Sequence, residues 1–170
     1  MERKPFVKGA YDIHFHTSPD VVKRKCSDME LARRAKEAGM AGFVIKNHYM
    51  DTAGRAAVLQ ELCPELKIAG GITLNRSVGG LNPQAVEKMA RMGGKMVWFP
   101  TLESLEYQKF RNPGKTAEEL PEGLLTVFGQ NGELKKEVYE ILKLCSEYDL
   151  AVGTGHMAAK EGLAVIAAGK

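Results

Sequence analysis

The sequence predicts an α/β fold of the (β/α) TIM-barrel type, with about five strand–helix units present. Short apolar stretches alternate with amphipathic segments along the 170 residues, and this alternation is typical of parallel strands joined by crossover helices. A full barrel of eight units needs ~250 residues. We therefore expect a truncated or incomplete barrel, and a five-stranded open sheet is the alternative.

Each unit is marked by its own local signals. Strands are expected at residues 10–16, 42–48, 67–74, 95–101 and 150–156, where short apolar runs end in turn residues. Helices are expected at about 28–38, 53–63, 83–93, 133–148 and 160–168. Ser27 and Glu30 have the spacing of a capping box, and Asn82 before Pro83 is a typical helix start. Thr52 is expected to cap the second helix.

One long connection, residues 102–133, interrupts this rhythm. Long connections in compact domains often form lids or binding loops. We therefore predict a single domain over residues 1–170 that carries a lid-like inserted segment at about 102–133.

Composition excludes several classes of function. The net charge is only +3, which argues against a nucleic-acid platform. The three cysteines, with no CxxC pair, are typical of reduced thiols in an intracellular protein. No apolar run approaches the ~20 residues of a membrane span, and the first residues do not have the pattern of a signal peptide. We expect a cytoplasmic protein that acts on a small molecule.

The most informative stretch is Asp12-Ile13-His14-Phe15-His16. On a strand, alternate side chains share a face, so Asp12, His14 and His16 lie together. Two imidazoles at this spacing can hold a divalent metal. The remaining two histidines of the chain, His48 and His156, also end predicted strands, and ligands bind at that edge of parallel α/β folds. The four histidines are therefore predicted metal ligands.

Three polar residues at the same edge are candidates for other roles. Lys46 shares a strand face with His48 and is a candidate for proton transfer, for anion binding or for carbamylation. Asn75 and Arg76 follow the third strand and are predicted to bind substrate. Asp12 is predicted to orient a ligand or to bind the metal directly.

At these positions the chain resembles the amidohydrolase superfamily and the related polymerase-and-histidinol-phosphatase (PHP) family. Residues 11–20 look like their opening His-x-His strand, and residues 42–48 are similar to a PHP strand, although Asn47 stands where PHP proteins have aspartate. Gly155-His156 is similar to the fifth-strand metal histidine of amidohydrolases. The resemblance implies a TIM barrel whose later histidine and aspartate ligands would lie beyond Lys170, so this piece would have little or no activity alone.

We therefore expect a divalent-metal-dependent hydrolase that cleaves an amide, ester or lactone with a metal-activated water. Zinc is the first choice of metal, one or two ions, with Mn, Fe or Ni as alternatives. A PHP-like phosphoesterase, with Arg76 and Lys46 on the phosphate, is the rival enzyme. A decarboxylase of the same superfamily and a non-catalytic barrel fragment are further alternatives. Uncovered sheet edges would favour a homo-oligomer.

Overall fold

Short parallel strands and peripheral helices make up the computed structural model of the chain, which describes residues 6–170. The strands are β1 (Tyr11–Phe15), β2 (Gly42–Ile45), β3 (Lys67–Ala69), β4 (Gly71–Thr73), β5 (Met96–Trp98) and β6 (Ala151–Gly153). The α-helices are α1 (Asp28–Glu37), α2 (Ala53–Leu62), α3 (Pro83–Arg91), α4 (Leu105–Arg111), α5 (Lys136–Glu147) and α6 (Ala159–Ala168). Two 3-10 turns, Arg76–Val78 and Ala117–Glu119, complete the described elements.

The strands form two three-stranded parallel sheets, in the orders β1-β2-β3 and β4-β5-β6. The prediction of a TIM-barrel-like fold is therefore wrong, because the strands described in residues 6–170 do not close on themselves. β1 and β6 are edge strands with one neighbour each. Side chains on both remain exposed, among them Tyr11, Ile13 and Val152. The alternative, one open sheet of five strands, is also not found within residues 6–170.

The two sheets part at Gly70, within the stretch predicted as one strand. A Cβ at Gly70 would lie 2.4 Å from the carbonyl oxygen of Thr52, so the chain runs directly against the start of α2. The Thr52 hydroxyl donates to the carbonyl of Ile45 and accepts from the amide of Gly71. Thr52 thus occupies the hydrogen-bonding groups that would continue a ladder from β2 to β4. Thr52 was expected to cap α2, but its side chain makes no capping hydrogen bond there.

Each sheet has its own apolar core. The first sheet packs with α1 and α2 around Phe43, Ile45 and Leu59. The second packs with α3, α5 and α6 around a larger set that includes Phe99 and Ile141. The sheet residues in these cores alternate along the strands, as Phe43 and Ile45 do, so the helices cover one face of each sheet.

Helix boundaries agree with the sequence signals in two places. The capping box at α1 is formed, with Ser27 and Glu30 each accepting from the other's backbone amide. Asn82 caps α3 by accepting from the amide of Ala85, and Pro83 is the first helical residue. Among residues 6–170, no helix has the length and apolar character that crossing a membrane requires.

Candidate functional site

The four histidines of the chain come together at the carboxyl ends of the strands. His14 lies on β1 and His16 follows it directly, while His48 and His156 each lie three residues beyond a strand. The ring centroids of His14 and His16 are 5.3 Å apart, and those of His16 and His48 are 4.6 Å apart and stacked. His156 lies 6.1 Å from His48. The sequence predicted this grouping from strand ends alone.

Hydrogen bonds from the neighbouring strand ends hold His48 in place. Its Nδ1 shares a 2.8 Å hydrogen bond with the hydroxyl of Thr101. The Asn75 amide donates both to that hydroxyl and to the backbone carbonyl of His48, each at 2.9 Å. Asn75 also accepts from the backbone amide of Thr101. Asn75 and Thr101 are almost completely buried, so this network fixes one nitrogen of His48 and leaves Nε2 to meet a ligand.

His156 is fixed by contacts with the inserted segment. Its backbone carbonyl accepts from the hydroxyl of Ser104 at 2.7 Å, and Ser104 also caps α4. The Tyr107 ring on α4 lies 5.0 Å from the His156 ring. The turn before it needs glycine, because Gly155 has a φ of 66° and a Cβ there would lie 2.2 Å from the carbonyl oxygen of Phe99.

Lys46 and Trp98 form the buried floor beside His14. The Lys46 side chain is buried, and its Nζ lies 3.2 Å from Nε2 of His14. The same amine lies 5.1 Å from the Trp98 ring centroid, a cation–π geometry. His14 itself is exposed and its ring centroid is 6.2 Å from that of Trp98. His14 thus stands between this buried floor and solvent.

A buried ion pair stands next to His16. The Asp20 carboxylate accepts from Nε of Arg24 at 2.6 Å, and its side chain is fully covered. Both charges act on His16, where Arg24 lowers the pKa and Asp20 raises it. Within the basic run Lys23-Arg24-Lys25, the central arginine is therefore part of this ion pair with Asp20.

All four imidazoles are kept neutral by their surroundings. Burial is the largest cause in each case, and the charge of Lys46 adds to it at every one of them. The pKa of His16 falls to about 4 and that of His48 to about 3. Burial also lowers the pKa of Lys46 to about 8. Neutral imidazole is the form that coordinates a metal ion.

The donor set can be tested against a bound metal ion. A zinc ion about 2.0 Å from ring nitrogens in tetrahedral geometry places the ring centroids on the order of 5 Å apart, close to the spacings observed here. Nδ1 of His16 and Nδ1 of His156 are buried without a hydrogen-bond partner. Within residues 6–170, no group of three His, Cys, Asp or Glu side chains is arranged to hold a metal as it stands. The neutral imidazoles and their centroid spacings fit a metal, and their present ring orientations do not converge on one.

Three predicted site residues have other partners. The guanidinium of Arg76 donates to the backbone carbonyl of Glu122, and its backbone amide donates to the carboxylate of Glu103. Arg76 is exposed and held against the inserted segment. The Asp12 carboxylate accepts from the backbone amide of His14 at 2.9 Å, so it steadies β1 beside the first histidine. Asn75 uses all of its amide hydrogens within the protein.

A family of unknown function, DUF6282, has a sequence model that matches residues 9–170. The chain belongs to DUF6282. A search of curated proteins finds no match. Membership in DUF6282 therefore brings no activity with it, and the resemblance to amidohydrolases and PHP proteins stays a prediction.

Several residues of this DUF6282 site were not predicted from the sequence. Thr101 ends the fourth predicted strand, and its position beside Asn75 could have been inferred from adjacent strand ends. Asp20 and Arg24 are four residues apart in a loop, where spacing gives no signal. Tyr107 lies in the inserted segment, whose α4 was not expected. Thr154, two residues before His156, lies against Gly162 of α6.

Proposed function

We propose that this chain is a divalent-metal-dependent hydrolase that cleaves an amide, ester or lactone bond at the strand-end site. The observation that carries the proposal is that all four histidines of the chain meet at one place, with neighbouring ring centroids 4.6 to 6.1 Å apart. Structural histidines have no reason to collect at the same edge of two separate sheets. Metal coordination is the common role that explains neutral, closely spaced imidazoles.

The surroundings of the histidines support metal binding. Thr101 fixes the Nδ1 side of His48, which is the kind of outer contact that orients a metal-binding imidazole. The unpartnered Nδ1 atoms of His16 and His156 would otherwise carry the cost of a buried polar atom without a hydrogen bond. Zinc is the first choice, and Mn, Fe or Ni are alternatives that imidazole ligands also accept.

The main residues of the site then have defined roles. His14, His16, His48 and His156 are the candidate ligands. A bound divalent metal supplies a water of lowered pKa and polarises the scissile carbonyl. Lys46, in contact with His14, is placed to hold or deliver a proton at the same edge. Tyr107 and α4 cover His156 from the side of the inserted segment.

The PHP-like phosphoesterase alternative assigned the phosphate to Arg76 and Lys46 together. The contacts of Arg76 with Glu103 and Glu122 remove one half of that pair from the histidines. The hydrolase reading needs neither Arg76 nor Asn75 at the substrate, and it is the one we keep.

Metal content tests the proposal directly. Metal-free protein is reconstituted with Zn²⁺, Mn²⁺, Fe²⁺ or Ni²⁺, dialysed and analysed for bound metal. We expect the wild type to retain one or two equivalents of one of these ions and the double variant His14→Ala, His16→Ala to retain none. Cys63→Ser is the control, because Cys63 is a free thiol that is not fully buried. Undiminished metal in the double histidine variant would contradict the proposal.

Activity is then assayed on the metal-loaded protein. A panel of amides, esters and lactones is compared with phosphate monoesters at equal concentration. Turnover of the first group that disappears on chelation and returns with the metal is the expected result. Turnover confined to phosphate monoesters would favour the phosphoesterase instead.

A further inference from the structure

Lys46 is a buried cation without an acidic partner. Its side chain is 1% exposed, and none of the ion pairs found within residues 6–170 includes it. Its neighbours are the imidazole of His14 and the indole of Trp98. A buried ammonium is costly unless an opposite charge compensates it. Within residues 6–170, the groups found against that amine are both neutral.

The position of Lys46 is central to the site. Its charge contributes to the lowered pKa of each of the four histidines. The nearby carboxylates have other partners, since Asp20 pairs with Arg24 and Asp12 accepts from the amide of His14. A divalent metal among the histidines would add two further positive charges. Neither carboxylate is paired with Lys46, and a bound anion would supply the partner that this amine lacks.

A second buried group without a partner lies on the same face. Thr73 is 1% exposed, and its hydroxyl has no hydrogen-bond partner. Thr73 and Trp98 are paired in register between β4 and β5, so their side chains share a face. A Cβ at Gly71, two residues before Thr73, would lie 2.7 Å from the Trp98 ring. The indole therefore covers Gly71 on this same face. The Thr73 hydroxyl is thus a spare donor on the sheet face that carries Trp98, whose ring in turn contacts the Lys46 amine.

We propose that this site takes an anionic substrate, whose carboxylate or phosphate group pairs with Nζ of Lys46 and accepts a hydrogen bond from Thr73. The inference deepens the proposed function, because it assigns the substrate class of the same site. The anion is assigned to Lys46 and Thr73, in place of the earlier assignment of a phosphate to Lys46 and Arg76. The ester, amide or lactone that is cleaved would carry a fixed negative charge.

The only tryptophan of the chain makes a direct test practical. Trp98 lies 5.1 Å from the Lys46 amine, so its fluorescence reports on an anion bound there. Inorganic phosphate and acetate are titrated separately into metal-free and into metal-loaded protein, which distinguishes a phosphate site from a carboxylate site. We expect a saturable change with one or both anions in the wild type.

The variants separate site binding from general charge effects. Lys46→Met removes the amine and keeps an unbranched side chain of similar length, and we expect at least a tenfold loss of anion affinity. Thr73→Val is expected to weaken binding by about tenfold to 100-fold, because the lost hydrogen bond has a charged acceptor. Lys143→Met is the matched control, because it removes an exposed lysine on α5 and should leave affinity unchanged.

Two further readings keep the test decisive. Lys46→Arg retains the charge and should retain anion binding. In the wild-type protein, the NMR signals of the His14 ring protons should shift when the anion is added, and this measurement does not depend on the folding of any variant. The proposal is overturned if neither anion binds the wild type, or if Lys46→Met binds as tightly. Anion binding to metal-free protein is independent of metal content, so the two proposals fail separately.

Discussion

The hydroxyl of Thr101 lies 2.8 Å from Nδ1 of His48 and links a histidine after β2 to the segment that follows β5 in the other sheet. Asn75 completes the link by donating to both residues. The two sheets do not share a hydrogen-bonded ladder, so this polar contact aligns their strand ends at the site. The geometry of the histidine cluster therefore depends on groups that bind no ligand themselves.

Replacing Thr101 with valine should weaken metal binding by about 10-fold to 100-fold, as losses of outer contacts to metal-binding histidines do. The free energy of unfolding should fall by about 1–3 kcal/mol, because the buried amide of Asn75 loses an acceptor. Metal titration and urea unfolding measure the two effects. Thr154→Val is the control, since Thr154 contacts α6. Equal metal affinity in both variants would contradict a positioning role for Thr101.

Stability of the metal-free protein should fall as the pH drops below 6.5. The pKa values of His16 and His48 are lowered in the folded state, to about 4 and about 3. Between those values and 6.5 the unfolded chain binds protons that the folded chain does not, so acid favours unfolding. The loss is at most about 1.4 kcal/mol per histidine for each pH unit, and partial exposure reduces it.

Urea unfolding at a series of pH values measures this dependence. The double variant His16→Gln, His48→Gln should show a clearly shallower slope between pH 6.5 and 4. A wild-type slope as shallow as that of the variant would show that these imidazoles titrate normally in the folded protein.

Replacing Asp28 with asparagine should destabilise the fold by about 2–4 kcal/mol, somewhat below the cost of breaking a fully buried pair. The Asp28 carboxylate accepts from Nε and Nη2 of Arg55 at 3.0 and 2.8 Å, joining the start of α1 to α2. The exposed pair between Arg33 and Glu37 gives the control, and Glu37→Gln should cost less than about 1 kcal/mol. Thermal unfolding of both variants compares them, and equal costs would argue against the Asp28 pair as a fold contact.

Replacing Glu161 with glutamine should loosen the inserted segment. The buried carboxylate accepts from the hydroxyl of Thr126, from the amide of Val127 and from the amide of Ala158. A glutamine amide would face one of these donors with its own hydrogens, at a cost of about 1–3 kcal/mol. Hydrogen exchange of the backbone amides at residues 126–128 should become faster. Glu140→Gln, at a solvent-facing position of α5, should leave that exchange unchanged.

Local chemistry explains what the sequence predicted correctly. The capping box at Ser27 and the Asn82-Pro83 helix start depend on neighbours within four residues, and both are formed. The meeting of the histidines needed only the rule that parallel strands end at one edge. Both kinds of inference survive an error in the global topology, because neither depends on how many strands the sheet contains.

Contacts between distant segments explain what the sequence did not predict. The expected barrel depended on strand closure, and the break at Gly70 comes from the Thr52 hydroxyl, whose partners lie 7 and 19 residues away. Spacing predicts a capping role for Thr52 and cannot show this bridge. The sequence could not distinguish Arg24 from its charged neighbours Lys23 and Lys25, because its position is set by the ion pair with buried Asp20.

Gly155 has a consequence for how the site tolerates variation. Any side chain at this position would collide with the carbonyl oxygens of Phe99 and Pro100, and its positive φ adds strain for every other residue. A saturation library at residue 155 should therefore yield glycine alone among functional clones. A library at exposed Arg76 should yield nearly every residue, so the contrast between the two tolerance profiles marks which positions the site requires.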